Sequence, residues 1–219
     1  MNNRLNFITD PNLVLYLPLY QVDGASLMSR DAYGYLGNVT GAQWKPDGRT
    51  FDGIDDYIAL PDNLLAGASR WTINLWLKAN DITTNNLSPI GGSLGEWNAI
   101  PHLRHVNSKY QISILHSSEF IVQNKSVSGD VLLNQWENVC FLYDGFNCLF
   151  YRNGVLTDTL NALNGKSLDT STVNSRLGGG HNTSSKAYSG TIGEVIIFDR
   201  TLTPQEIQHI HHVTMWRYS

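Results

Sequence analysis

An acidic stretch offers the side chains best suited to bind a metal or to act as acid and base. In "RTFDGIDDYIALP" (residues 49–61), three of the five positions 52–56 are aspartates: Asp52, Asp55 and Asp56. An EF-hand starting at Asp52 needs glycine at its sixth position and glutamate at its twelfth, but these are Tyr57 and Asn63. Asp55 and Asp56 are adjacent, so on a strand they point to opposite faces and do not form a catalytic pair. The stretch is typical of a tight Asp52-Gly53 turn with solvated acids.

A second candidate is the segment 92–108, "GSLGEWNAIPHLRHVNS", in which a tryptophan is followed by several hydrogen-bonding side chains. An aromatic ring can stack on a ring of a ligand, and polar neighbours can form hydrogen bonds with its polar groups. This interpretation gives a ligand-binding set of four residues: Trp97, Asn98, His102 and Arg104. In the alternative interpretation, Trp97 fills the open end of the core. We expect the segment to form a long loop or an extra hairpin at the edge of the fold.

Composition excludes several classes of protein. The chain has 219 residues, a net charge of −4 and 16% charged residues, without the basic stripe of a nucleic-acid-binding protein. Its apolar runs, such as "LVLYLPLY", are too short to span a bilayer, which predicts no membrane insertion. The first residues lack the pattern of a secretory signal peptide.

The elements that must position these residues are mostly strands. In "RWTINLWLK", Trp71, Ile73, Leu75 and Leu77 alternate with polar or amphipathic residues, and further short alternating runs are separated by Gly, Asn, Asp and Ser clusters. This pattern predicts an all-β sandwich or barrel. One short helix is predicted near the C-terminus, in "TPQEIQHIHH", where Thr203 can cap and Glu206 completes a capping box.

The two cysteines lie in "VCFLYDGFNCLFYRNG", which is typical of a hairpin. A turn centred on Gly145–Phe146 pairs Tyr143 with Cys148. Cys140 and Cys148 then point to opposite faces, which predicts two free, buried thiols.

The order of several segments resembles a known family. "LVLYLPL", "GNVTGAQW", "FDGIDDYIALP" and "WTINLWLK" are similar to the first half of a LamG-like jelly roll of the concanavalin A-like lectin/glucanase superfamily. "QWENVCFLYDGFNCLFYRNGVL" resembles its central hairpin, and "YSGTIGEVIIFDRTLTPQEIQHI" its closing strand and helix. The resemblance implies a two-sheet antiparallel jelly-roll β-sandwich. We expect a single domain over residues 1–219, with an N-terminal arm at 1–12 and a C-terminal tail at 213–219.

The resemblance also implies that a calcium ion can bind near the edge of the sandwich. Members of the family hold it with an acidic turn and with the aspartate of an Ile-Asp-Glu-Val strand. Gly193 stands where that aspartate is expected, and Arg152 stands where the hairpin normally has an aliphatic residue. The metal hypothesis is therefore a Ca²⁺ site with Asp52 and Asp55 as side-chain ligands, beside the alternative of a solvated turn.

The function implied by the resemblance is recognition of carbohydrate. We expect a non-enzymatic recognition or adhesion module, so not an enzyme, whose partner is a glycan or cell-surface polysaccharide. The alternative is a structural subunit of a larger assembly, such as a homo-oligomer or a virion decoration or tail protein. A glycan hydrolase or lyase is a third hypothesis. An extracellular or virion-surface location is expected.

Overall fold

The computed structural model describes residues 7–22, 24–85, 87–92, 101–116, 119–162, 165–168, 175–179 and 187–219. The strands within these residues are β1 (Leu13–Pro18), β2 (Ser26–Met28), β3 (Leu36–Thr40), β4 (Gln43–Lys45), β5 (Gly48–Asp52), β6 (Tyr57–Ala59), β7 (Trp71–Ala79), β8 (Leu87–Gly92), β9 (His102–Val106), β10 (Lys109–His116), β11 (Glu119–Ser126), β12 (Trp136–Tyr143), β13 (Asn147–Arg152), β14 (Val155–Asn161), β15 (Ser175–Leu177) and β16 (Ser189–Phe198). The helix α1 spans Pro204–Thr214, and 3-10 turns lie at Phe7–Thr9 and Met215–Arg217.

The strands form two eight-stranded antiparallel sheets. Sheet A has the order β14-β13-β12-β7-β16-β5-β4, and β1 pairs with β16 beside β5. Sheet B has the order β11-β10-β9-β8-β15-β6-β3-β2. The predicted all-β sandwich of two antiparallel sheets with one short C-terminal helix is confirmed.

The main core lies between the two sheets. The alternating residues of β7, from Trp71 to Leu77, belong to it and are at most 1% exposed. They pack with apolar side chains of sheet B such as Leu103 and Ile112. The period of two in the sequence therefore identified the face of β7 that is buried between the sheets.

A second apolar cluster covers the opposite face of sheet A. It joins residues of β1, β12, β13 and β16 to Ile207 and Ile210 of α1. Cys140 belongs to this cluster and Cys148 to the main core, and both thiols are free and buried. The predicted pairing of Tyr143 with Cys148 is also present, so the prediction of two separate thiols is confirmed.

The helix α1 begins as predicted. Thr203 accepts a hydrogen bond from the Glu206 backbone nitrogen, and the Glu206 side chain returns to the Thr203 backbone, which completes the capping box. Arg200 pairs with both Glu206 and Asp10, so the helix start is also tied to the segment before β1. With 11 residues, α1 is the longest helix in the described part of the chain, and it is too short to cross a bilayer.

Candidate functional site

The four residues predicted to bind a ligand lie in and beside β9. Trp97 and Asn98 fall in the segment 93–100, outside the described residues. His102 and Arg104 lie on β9, in the interior of sheet B between β8 and β10. Residues 102–106 form a strand that makes a hairpin with β10, so the expected loop is wrong for these residues, and the hairpin lies in the interior of sheet B rather than at the edge of the fold.

The hairpin of β9 and β10 determines which side chains face outward. Asn107 and Ser108 both have positive φ, at 51° and 60°, which is the backbone of a two-residue hairpin turn. Lys109 then pairs with Val106, and the register continues to the pair of Ser113 and His102. Leu103 belongs to the core, so His102 and Arg104 lie on the opposite, outer face of sheet B.

Arg104 is held on this face by neutral partners. Its Nε and Nη2 atoms donate to Oε1 of Gln111 at 2.9 and 2.6 Å, and Nη2 also donates to Oδ1 of Asn124. Ser113 donates to the same Asn124 oxygen at 2.9 Å. Burial lowers the pKa of the Arg104 guanidinium, although the group stays charged. The network fixes a cation on a rigid strand, with amide oxygens rather than carboxylates around it.

His102 lies against the glycine pair that ends β8. Its Nε2 accepts a hydrogen bond from the Gly92 backbone nitrogen at 3.1 Å, so this nitrogen carries no proton. A Cβ at Gly91 would lie 3.1 Å from the His102 ring, which explains why a residue without a side chain stands there. His102 is 4% exposed, and its bond to Gly92 brings together the two ends of the segment 93–100.

A second arginine faces outward on the other side of β8. Arg176 on β15 pairs with Gly91 of β8 and with Ala59 of β6. Its guanidinium carbon lies 4.0 Å from the centre of the Tyr57 ring, a cation–π contact. The pairing continues from Ala59 to Asn38 of β3 and then to Ser26 of β2. The Ser26 hydroxyl donates a hydrogen bond to the Asn38 side chain.

These residues lie on the outward side of sheet B, which we call the polar face of sheet B; His102 and Ser113 are buried within it. Its members are Ser26, Asn38, Tyr57, His102, Arg104, Gln111, Ser113, Asn124 and Arg176. The sequence predicted two of them as ligand-binding residues. The alternation of "YQISI" contained the signal for Gln111 and Ser113, because both alternate with buried isoleucines. Arg176 and Tyr57 carried no local signal, since pairing between distant strands brings them together.

The acidic turn connects the two sheets, because β5 belongs to sheet A and β6 to sheet B. Asp52, Asp55 and Asp56 each offer an oxygen within 4.8 Å of the others. Asp52 also accepts from the Ile54 backbone nitrogen at 2.8 Å, and Asp56 accepts from the Asp52 nitrogen at 2.9 Å. Burial and the two neighbouring carboxylates raise the pKa of Asp56. Three carboxylates that offer hard oxygen donors this close together fit the chemistry of Ca²⁺.

Position 193 lies away from this turn. Asp52 pairs with Ser189, four residues before Gly193 on β16, which corresponds to roughly 13 Å along the strand. The absence of an aspartate at position 193 therefore removes no ligand from the acidic turn. The expected link between this position and the turn is wrong for this chain.

Gly193 instead accommodates the C-terminal tail on the outer face of sheet A. A Cβ at this position would lie 2.4 Å from Cε1 of Tyr218, so the ring occupies the space of a side chain. The neighbouring Glu194 is fully buried, and its Oε1 lies 2.5 Å from Nη1 of Arg217. Burial raises the pKa of the Glu194 carboxyl to about 7, although Arg217 acts in the opposite direction.

Solved structures of similar fold come from sugar-processing and receptor-binding proteins. A mutant of Trypanosoma rangeli sialidase displaying trans-sialidase activity superposes with a TM-score of 0.71 and 15% identity over 97% of this chain and 34% of that chain. T. rangeli sialidase in complex with sialic acid superposes with a TM-score of 0.69 and 17% identity, over 93% of this chain and 33% of the sialidase chain. The receptor binding domain of botulinum neurotoxin C/D mosaic serotype superposes with a TM-score of 0.69 and 16% identity, over 93% of this chain and 52% of the neurotoxin chain.

This chain thus spans about a third of the length of the sialidases and about half of the neurotoxin chain. At these identities the similarity establishes the fold. It also contradicts the prediction that the protein is not an enzyme, because the same fold is present in chains named as sialidases, which are enzymes.

Sequence comparison identifies the family. No curated protein sequence matches this chain significantly. A family model described as the concanavalin A-like lectin/glucanases superfamily matches residues 52–208, which is more than half of the chain. This segment runs from the acidic turn to α1 and contains the strands that carry most of the polar face. The chain therefore belongs to the concanavalin A-like lectin/glucanase superfamily.

Proposed function

We propose that this protein recognises a carbohydrate with the polar face of sheet B and the adjoining segment 93–100. The observation that carries the proposal is the row of outward side chains across neighbouring strands, in which Arg104, Gln111, Asn124 and Ser113 are joined by hydrogen bonds. Donors and acceptors fixed on a rigid sheet suit the many hydroxyls of a sugar, because little side-chain freedom is lost on binding.

Trp97 and Asn98 remain part of this proposal. The segment that contains them lies between Gly92 and Pro101 in the sequence, and the hydrogen bond from Gly92 to His102 joins β8 to β9 on either side of it. We assign to Trp97 the stacking contact with a sugar ring and to Asn98 a hydrogen bond to its hydroxyls.

The structural neighbours support a glycan as the ligand. One of them is a sialidase in complex with sialic acid, which is a sugar, and another is a receptor-binding domain. This chain corresponds to a part of each neighbour, so the proposal covers binding and does not include the activity of the whole neighbouring protein. An extracellular or virion-surface location, where glycans are accessible, belongs to the same proposal.

The experiment is a glycan array probed with the purified protein and with Trp97→Ala. We expect the wild type to bind a defined group of glycans and the variant to lose about 30-fold in affinity or more, the usual cost of an aromatic anchor. Trp216→Ala is the matched control, because this tryptophan is 67% exposed and lies on the side of sheet A.

Failure to bind any glycan would contradict the proposal. Normal binding by Trp97→Ala, together with a large fall in melting temperature, would instead support the interpretation that Trp97 fills the core. Product detection on the bound glycans shows whether binding leads to turnover.

We further propose that the acidic turn holds Ca²⁺, with Asp52 and Asp55 as ligands and Asp56 as a third. The support is the proximity of the three carboxylates. The ion would join the two sheets at this point, since the turn connects β5 to β6.

A second candidate role is that of a subunit in a larger assembly. The observation that favours it is an exposed apolar group near the C-terminus, where Trp216 is 67%, Met215 40% and Val213 39% exposed. Light scattering is the test: a concentration-dependent oligomer that Trp216→Ala dissociates is expected, and a monomer at all concentrations contradicts self-assembly.

A further inference from the structure

The strands of sheet B have a charge opposite in sign to that of the chain. The whole protein has 15 Lys and Arg against 19 Asp and Glu. Among the strands of sheet B, the acidic residues are limited to Glu119 on β11. The basic residues on the same strands are Arg104, Lys109, Lys125 and Arg176.

The two arginines of the polar face differ from the ion-paired arginines of this fold. Arg152 pairs with Glu137, Arg200 with Asp10 and Glu206, and Arg217 with Glu194. By contrast, Arg104 donates to side-chain amide oxygens. Arg176 stacks on Tyr57 and donates no hydrogen bond to a described residue. The charges of both side chains are therefore not neutralised by a carboxylate in the described part of the chain.

Their positions suit a ligand that lies across the strands. Arg104 lies on β9 and Arg176 on β15, so two strand spacings, or roughly 10 Å, separate them across the sheet. Gly91, which has no side chain, and His102, which is hydrogen-bonded to the backbone, continue the row of Arg176 across β8 and β9. Arg104 lies two residues beyond His102 on β9, roughly 7 Å along the strand from that row. Arg104 is already oriented by Gln111 and Asn124, which reduces the entropy that it loses on binding. Nε and Nη2 of Arg104 are used by Gln111 and Asn124, so its Nη1 group is the donor left for an anionic oxygen of a carboxylate or sulfate.

We infer that the polar face selects glycans that carry anionic groups, carboxylate or sulfate, with Arg104 and Arg176 as the charged contacts. The inference rests on the proposed function, because it names the ligand class for the same face.

The test uses an array on which the same oligosaccharides appear in neutral, sialylated or uronic, and sulfated forms. We expect at least one acidic form to bind about tenfold more tightly than its neutral counterpart, the magnitude of a charge-assisted hydrogen bond. The carboxylated and sulfated arms identify which anion is preferred. Raising the salt concentration should weaken the acidic forms selectively.

Three single variants locate the contacts. Arg104→Gln and Arg176→Gln should each lose about tenfold or more for the acidic glycan and little for the neutral one. Arg70→Gln is the matched control, because it makes the same change in net charge at an arginine that hydrogen-bonds the Asp144 carbonyl, off the polar face. Thermal melting checks the fold of each variant, and Arg176→Gln carries the test if Arg104→Gln does not fold, because the Arg176 side chain donates no hydrogen bond to a described residue.

Each result has one meaning. Equal binding of neutral and acidic forms overturns the inference and leaves the proposed function standing. Absence of binding to every glycan overturns both. A preference for acidic glycans that Arg70→Gln reduces as much as the two face variants shows a general effect of net charge and overturns the assignment.

Discussion

Asp55 is the residue on which the calcium proposal can be tested most directly. Its side chain is exposed and accepts no hydrogen bond from the described residues, whereas the carboxylates of Asp52 and Asp56 each accept one from a backbone nitrogen. Calcium should raise the melting temperature of the wild type. At a calcium concentration of 100 times Kd, binding to the folded state adds about 2.7 kcal/mol to the free energy of unfolding. Asp55→Asn should weaken this response without a large change in the calcium-free melting temperature.

The controls are Mg²⁺ and a chelator in the same buffer. Mg²⁺ should give a smaller shift, because it prefers an octahedral set that keeps several waters. Identical melting curves with calcium and with chelator would refute the site and leave the solvated turn.

Glu194 makes the second residue-scale prediction. Because its folded pKa of about 7 lies above the ordinary carboxyl value, the folded state binds the extra proton between about pH 4.5 and 7. The stabilisation that Glu194 contributes to the free energy of unfolding is fully present below the carboxyl pKa of the unfolded chain. It is lost as the pH rises through the folded pKa of about 7. Between pH 5.5 and 8 the loss is about 2 kcal/mol.

The comparison with Glu194→Gln isolates this contribution. His105 acts in the opposite direction, because burial lowers its pKa to about 4 and it is stabilising only when neutral. The informative quantity is therefore the difference in unfolding free energy between the two proteins from pH 5.5 to 8, measured with urea. The wild type should lose about 2 kcal/mol relative to the variant. Parallel curves would show that Glu194 does not titrate in this range.

At the level of single residues, local patterns predicted what local chemistry determines. The cap at Thr203 and the opposite orientation of the two cysteines depend on neighbours within the same segment, and both are confirmed. Arg176 could not be found in this way. Its place beside Gly91 and Ala59 depends on pairing among strands that are far apart in sequence.

At the level of elements, Arg152 and Gly193, which depart from the family pattern, each contact a residue of another element. Arg152 bonds Glu137 at 2.9 Å and also donates to the carbonyls of Gly129 and Asp130. Gly193 on β16 makes room for the Tyr218 ring. A residue that looks irregular within its own strand is thus explained by a neighbouring element.

The contact between β16 and the tail can be measured by a double-mutant cycle. Gly193→Ala should destabilise the protein by about 1–3 kcal/mol, because the new methyl group overlaps the Tyr218 ring. In a Tyr218→Ala background the same change should have little effect. Urea unfolding of the four proteins gives the coupling energy.

Gly24→Ala serves as the control, since a Cβ there meets no atom within 4 Å. Additive effects of the two substitutions would mean that the tail does not rest on Gly193 in solution.

At the level of the whole molecule, the sequence predicted the class of fold but not which residues lie together on the polar face of sheet B. Alternation identified β7 and β10, and the order of segments identified the superfamily. The segment 92–108 was expected to form a long loop or an extra hairpin at the edge of the fold, because its pattern is individual. In the structure, hydrogen bonds to β8 and β10 on both sides make residues 102–106 a strand in the interior of sheet B. Such pairing depends on the full sheet rather than on the segment itself.

During synthesis, β16 leaves the ribosome after all the strands with which it pairs. It is the last strand of the described chain, yet it pairs with β7 on one side and with β1 and β5 on the other. At the usual speed of translation, β1 emerges about ten seconds or more before β16. Throughout that interval the apolar residues of β1 and β7 lack the strand that lies between them. Sheet A can therefore be completed only after β16 has been made, and until then the apolar residues of the strands beside it are open to aggregation.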